Sequence, residues 1–142
     1  MATLNPYLNY PGTAEEAFTH YKKVFGGEYN IVRYKDTPEN GETASADAEK
    51  AMHIALPVGK SNVLMATDLS CKRMGDYKPG NDFYLSVFAD SEEEADRLFN
   101  GLAEGGTITM PMEKTFWNAY FGMLKDKWGI HWMVNHDYNQ AP

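Results

Sequence analysis

Cysteine is almost missing: Cys71 is the only one in 142 residues. No intramolecular disulfide can therefore form, and a zinc site built from several thiolates is excluded. Long apolar runs are missing too, with nothing near the roughly eighteen consecutive residues that a membrane-spanning helix needs. The first residues, Met1 to Pro6, lack a basic stretch leading into an apolar one, so neither an export signal nor a membrane partner is expected and the location expected is cytoplasmic. Positive charge is scarce, with 13 Lys and Arg against 20 Asp and Glu and a net charge of −7. Such a chain repels phosphate backbones, which argues against nucleic acid as a partner. Glycine pairs occur, but Gly26-Gly27 and Gly105-Gly106 follow helix-like segments instead of opening them. A phosphate cradle at a helix N-terminus is thereby excluded, as is the serine hydrolase elbow, since no Gly-x-Ser-x-Gly string is present.

Apolar residues make up 43% of the chain and aromatics 13%. A chain of this length buries roughly 70% of its unfolded surface, enough for a single domain with its own core. Leu4 to Tyr10 alternates apolar with polar residues, the period of a strand. Thr13 then stands as a hydroxyl cap before Ala14-Glu15-Glu16-Ala17, and Ala17, Phe18, Tyr21, Val24 and Phe25 recur at helical spacing up to Gly26-Gly27. Strands are expected over residues 28–34, 51–58 and 61–68, the last two joined at Gly59-Lys60. Residues 36–50 and 69–81 read as polar loops.

The order then repeats. Residues 82–89 form a strand pattern, Ser91-Glu92-Glu93-Glu94-Ala95 echoes the first helix start, and a glycine pair follows again. The period is about 78 residues. Strands are expected over residues 107–113, 119–125 and 130–135. The reading is an α+β single domain of two βαβββ modules, about 1–68 and 82–136, joined by a polar loop. In each module a helix covers one sheet face and leaves the other partly open, so that two sheets side by side would enclose an open cleft.

Several strings resemble the vicinal oxygen chelate superfamily, the glyoxalase and bleomycin-resistance proteins, and in particular its PhnB-like branch. They are Pro6-Tyr7-Leu8, the helix string from Glu15 to Gly27, Met65-Ala66-Thr67-Asp68, Phe116-Trp117, Tyr120-Phe121-Gly122, and the run from Asp126 to Asn135. The resemblance implies the paired βαβββ fold, a cleft on the curved sheets, and a homodimer. It also implies, in metal-dependent members, His, Glu or Gln ligands on the first and last strands of each module. The positions that resemble these hold Asn5, one of Asp82, Phe83 and Tyr84, Met65 or Ala66, and Met133. No histidine stands there, so neither a metal nor another cofactor is expected. Some similar members carry a demethylubiquinone methyltransferase label, yet no glycine-rich adenosylmethionine loop is recognisable.

His131, His53 and Asp68 are the candidate catalytic residues, the imidazoles because their ordinary pKa of about 6.5 suits acid-base work. His131 shares a strand face with Met133 and Asn135. Asn5, Tyr7 and Asn9 line the more polar face of the first strand, and with Tyr84, Trp117, Met133 and Asn135 they are the candidate ligand-binding residues. His20 and His136 read as solvated and frayed, Glu113 as an exposed strand residue, and Cys71, beside Lys72 and Arg73, as a loop thiol. Two functions are in view: a metal-free small-molecule-binding protein, or an enzyme of the same superfamily, either metal-dependent or using His131, His53 and Asp68. A partner-binding module is a third reading.

Overall fold

The computed structural model describes residues 2–36, 48–69 and 76–139. The chain forms two compact units, Met1–Lys78 and Pro79–Pro142. The first contains β1 (Tyr7–Tyr10), α1 (Ala14–Phe25), β2 (Asn30–Arg33), a short 3-10 helix (Tyr34–Asp36), β3 (Ala51–Val58) and β4 (Asn62–Asp68). The second contains β5 (Leu85–Phe88), α2 (Glu92–Ala103), β6 (Thr107–Lys114), β7 (Ala119–Lys125) and β8 (His131–Asp137). The two four-stranded sheets share one topology, β1-β4-β3-β2 and β5-β8-β7-β6. In each, the first strand pairs parallel with the last and the other pairs are antiparallel. A parallel pair cannot be closed by a tight turn, and the helix supplies part of the crossover that it requires.

Each helix covers one face of its sheet. From α1, Ala14, Ala17, Phe18, Tyr21 and Val24 are buried, and Leu8, Tyr10, Ile54, Leu56, Leu64 and Ala66 are buried on the sheet side. Tyr10 and Tyr21 satisfy each other's hydroxyls at 3.0 Å inside this core, as buried phenols must. In the second unit Ala95, Leu98, Phe99 and Leu102 of α2 are buried, as are Leu124, Trp132 and Val134 of the sheet.

The structure corrects several sequence expectations. Thr13 makes no side-chain cap on α1. The cap comes from the sheet: Asp68 Oδ1 accepts the Ala14 N–H at 2.9 Å, while Oδ2 accepts the Ala51 N–H at 2.9 Å. The first strand begins at Tyr7, not Leu4, and Asn5 lies outside it. Tyr34 does not extend β2; it opens the 3-10 helix, and its buried hydroxyl donates to the Asp68 carbonyl at 2.6 Å. His136 is not frayed: it lies in β8, and its Nδ1 donates to the Ala89 carbonyl at 2.9 Å. The second helix ends at Ala103, before its glycine pair. Cys71 and most of the first polar loop fall outside the described residues.

Among the described residues no helix is long and apolar enough to cross a membrane.

Candidate functional site

In the second unit, register places side chains on the face opposite α2 in three rows. Trp132 and Val134 of β8 point to the core, so His131, Met133 and Asn135 share the other face. The His131 row carries Lys125 of β7 as its register partner. Tyr84, just before β5, sets its ring 4.9 Å from the His131 ring, tilted by 40°. The next row is Ser86, Met133, Met123 and Met110 across β5, β8, β7 and β6. The third is Phe88, Asn135, Phe121 and Glu113. Trp117, in the turn after β6, packs edge-on against Phe121 at 5.9 Å and against Phe116 at 5.0 Å.

Two features set this face apart from an ordinary wet sheet surface. Phe88, Met110 and Trp117 are 63%, 43% and 51% exposed, a concentration of large apolar side chains. Within it, His131 Nδ1 is buried and has no hydrogen-bond partner among the described residues. A buried polar atom left without a partner costs free energy unless something else fills its hydrogen-bonding position.

The first unit has a related pair. Tyr7 of β1 places its hydroxyl 3.2 Å from His53 Nδ1 of β3, with the rings 5.7 Å apart. By alternation Asn9, His53, Met65 and Thr67 lie on the face away from α1, with Asn9 and Thr67 in register. Thr67 is buried and donates to the Met52 carbonyl at 2.7 Å. Asn5 does different work: its side-chain oxygen accepts the Val63 N–H at 2.9 Å, extending the edge of the β1–β4 pair. Asp68 stands apart from the Tyr7–His53 pair, because both of its oxygens are held by backbone N–H groups on the helix side. Glu113 is exposed, and it shares the open face with Phe121.

Of the positions that resemble metal ligands, Asp82 alone carries a carboxylate, and a single carboxylate does not make a divalent-ion site. Asn5 is engaged by Val63, and Met65 and Met133 offer only soft thioethers. Among the described residues no three His, Cys, Asp or Glu side chains converge as ligands. Nor do the two helix N-termini fit the carboxylate of adenosylmethionine. The first is filled by Asp68. At the second, Ser91 Oγ accepts from Glu94 N at 3.1 Å and Glu94 Oε1 accepts from Asp90 N at 2.8 Å.

Sequence periodicity identified His131, Met133 and Asn135 as face mates, but it missed Lys125, Met123 and Met110. Alternation along their own strands would have placed them on one face or the other. Which residue stands beside which depends on cross-strand register, which one sequence does not display.

The family described as 3-demethylubiquinone-9 3-methyltransferase matches residues 2–135. Protein YjdN of Escherichia coli K12 is 30% identical over 140 residues, covering 93% of each chain. The crystal structure of protein PA1353 from Pseudomonas aeruginosa is 40% identical with a TM-score of 0.86, covering 96% of this chain and 98% of that one. A PhnB protein from Bacillus cereus is 26% identical with a TM-score of 0.74, covering 95% and 99%. A family match spanning nearly the whole chain, on two βαβββ units, settles the relationship: the chain belongs to the 3-demethylubiquinone-9 3-methyltransferase family, in the PhnB-like branch of the vicinal oxygen chelate superfamily.

Proposed function

We propose that this protein binds a small organic molecule on the open face of the second unit and uses no divalent metal to do so. The observation that carries the reading is the buried, unpartnered Nδ1 of His131 within a methionine and aromatic surface. Small-molecule sites have this composition, mostly apolar and adaptable with a few polar groups that fix orientation. Tyr84, Met133, Asn135 and Trp117 contribute side chains to that surface. The protein acts in the cytoplasm as a homodimer, in keeping with the family resemblance, and sequesters or senses its ligand.

The test is a thermal-shift screen of the purified protein against a panel of aromatic and aliphatic metabolites, repeated on Met133→Lys. A ligand selective for the folded state at a hundred times its dissociation constant adds about 2.7 kcal/mol of stability. The expected result is stabilisation of the parent protein that Met133→Lys abolishes. Stabilisation indifferent to Met133→Lys would place the site elsewhere. Elemental analysis after loading with nickel, zinc, manganese and iron(II) checks the metal, and light scattering after size exclusion checks the dimer.

A second reading rests on the hydroxyl-imidazole contact of Tyr7 and His53, a pair that can hold and relay a proton. On that reading the first unit performs acid-base catalysis, and His53→Gln removes turnover while leaving ligand binding by the second unit intact.

A further inference from the structure

The open face of the second unit is polarised along its strands. At one end stand Tyr84, the unpartnered Nδ1 of His131 and Lys125. Lys125 is exposed, makes no ion pair among the described residues, and shares the face with His131 as its register partner. A phenol, an imidazole nitrogen that donates when it carries the ring proton, and an ammonium together form a donor cluster with positive charge. At the other end, four residues along β8, are the Asn135 amide, the rings of Phe88 and Phe121, and the Glu113 carboxylate. The separation is about 13 Å at the usual strand rise. Between the ends lie three thioethers, Met110, Met123 and Met133, side by side across β6, β7 and β8.

We infer that the ligand is an aromatic carboxylic acid whose carboxylate sits at the His131 and Lys125 end and whose ring body lies over the methionine row. The inference rests on the reading of this face as the ligand site and adds the ligand's charge and orientation. A carboxylate there gains charge-assisted hydrogen bonds from His131 and Lys125, and in the reverse orientation it would meet Glu113. The nearest other acid in the chain order, Asp126, is buried with Trp132 and keeps its oxygens on the core side of the sheet, away from that face. Its Oδ1 accepts the Trp128 and Ile130 N–H groups at 2.9 and 3.0 Å, and its Oδ2 accepts the Trp132 indole N–H at 2.8 Å. The thioethers supply a polarisable apolar bed that suits flat rings.

Three probes of one shape and different charge test this: 2-naphthoate, 2-naphthylmethanol and 2-naphthylmethylammonium, titrated into the full-length protein by calorimetry. 2-Naphthoate is expected to bind about tenfold more tightly than the alcohol, and the ammonium most weakly. Lys125→Glu reverses the charge at an exposed position, which a fold tolerates. It is expected to weaken 2-naphthoate by at least about tenfold, to leave the alcohol within about twofold, and to strengthen the ammonium. His131→Gln is expected to weaken 2-naphthoate as well, with circular dichroism confirming that the variant is folded. Equal binding of all three probes, unaffected by Lys125→Glu, overturns the carboxylate inference and leaves the small-molecule site standing. Tighter binding of the ammonium overturns it too. If no probe binds and the metabolite panel also fails, both the inference and the reading beneath it fall.

Discussion

Asp68 links three pieces of the first unit through one carboxylate. It ends β4, accepts the first N–H of α1, and accepts the N–H that begins β3. The residue is buried, with 2% of its surface exposed. Removing its carboxylate orphans two buried donors, so Asp68→Ala is expected to cost about 3 kcal/mol in urea unfolding. Asp68→Asn keeps one acceptor and should lose less. Thr13→Ala, by contrast, removes no cap and should stay within about 0.5 kcal/mol. A large loss at Thr13 with little at Asp68 would reverse the assignment. The sequence made the opposite choice attractive, because a threonine before Ala-Glu-Glu-Ala has the local signature of a cap. The true cap stands 54 residues away from Ala14, and no local pattern reports a partner at that distance. Asn5 is a similar case: alternation put it on a strand face, whereas its amide is held by the edge of β4.

Among the elements, α2 depends on a missing side chain in the strand beneath it. A methyl built on Gly122 of β7 would lie 2.8 Å from Phe99 Cε1, 2.7 Å from Met112 Sδ and 3.0 Å from the Met110 carbonyl oxygen. Phe99 is buried in contact with that gap, and Gly122 lets its ring approach the sheet. Gly122→Ala is therefore expected to destabilise the protein by about 1 to 3 kcal/mol through overpacking. Phe99→Leu in the same chain should recover part of the loss, which a backbone-entropy effect at Gly122 would not allow. At the start of α2, Ser91→Ala is expected to cost about 1 kcal/mol, because the Ser91 cap is made. Elements of this kind were legible in the sequence wherever the chain alternates or repeats over a full length. Residues 51–58 and 119–125 are strands over the span expected, and α1 ends at Phe25 where Gly26-Gly27 begins. Shorter strands were overestimated, since β2 and β5 keep only four residues each once their ends turn away. The open face of the second unit was half legible. Its residues on β8 follow from alternation, whereas the methionine row needs three strands placed in register.

For the molecule as a whole, stability should fall at both ends of the pH range, with a separate cause in each unit. In the first, Arg33 Nη1 and Nη2 donate to both oxygens of Glu15 at 2.8 and 2.9 Å, joining β2 to α1. The Arg33 hydrogen bond holds the Glu15 carboxyl below its ordinary pKa of 4.5, against a smaller opposing push from burial. The folded state then binds the proton less readily than the unfolded one. The stabilisation is fully present above the unfolded value and is lost as pH falls through the lowered folded value. Both side chains are partly exposed, 26% for Arg33 and 41% for Glu15, so solvent screening limits the gain to about 0.5 kcal/mol. In the second unit, the Tyr120 hydroxyl donates to Asp96 Oδ1 at 2.7 Å, fastening α2 to β7. That hydrogen bond, with burial and the carboxylate's charge, pushes the Tyr120 pKa from 10.0 up to about 12. The sign is opposite: stability is fully present below pH 10 and is lost as pH rises from 10 through about 12, because the unfolded phenol ionises first. Urea unfolding measured from pH 3 to 12 should show both limbs in the parent chain. Glu15→Gln should shrink only the acid limb and Tyr120→Phe only the alkaline one, the latter by about 1 kcal/mol after screening. An alkaline limb unchanged in Tyr120→Phe would mean that the Tyr120 to Asp96 bond is not the titrating contact, and that α2 is held by its apolar face alone.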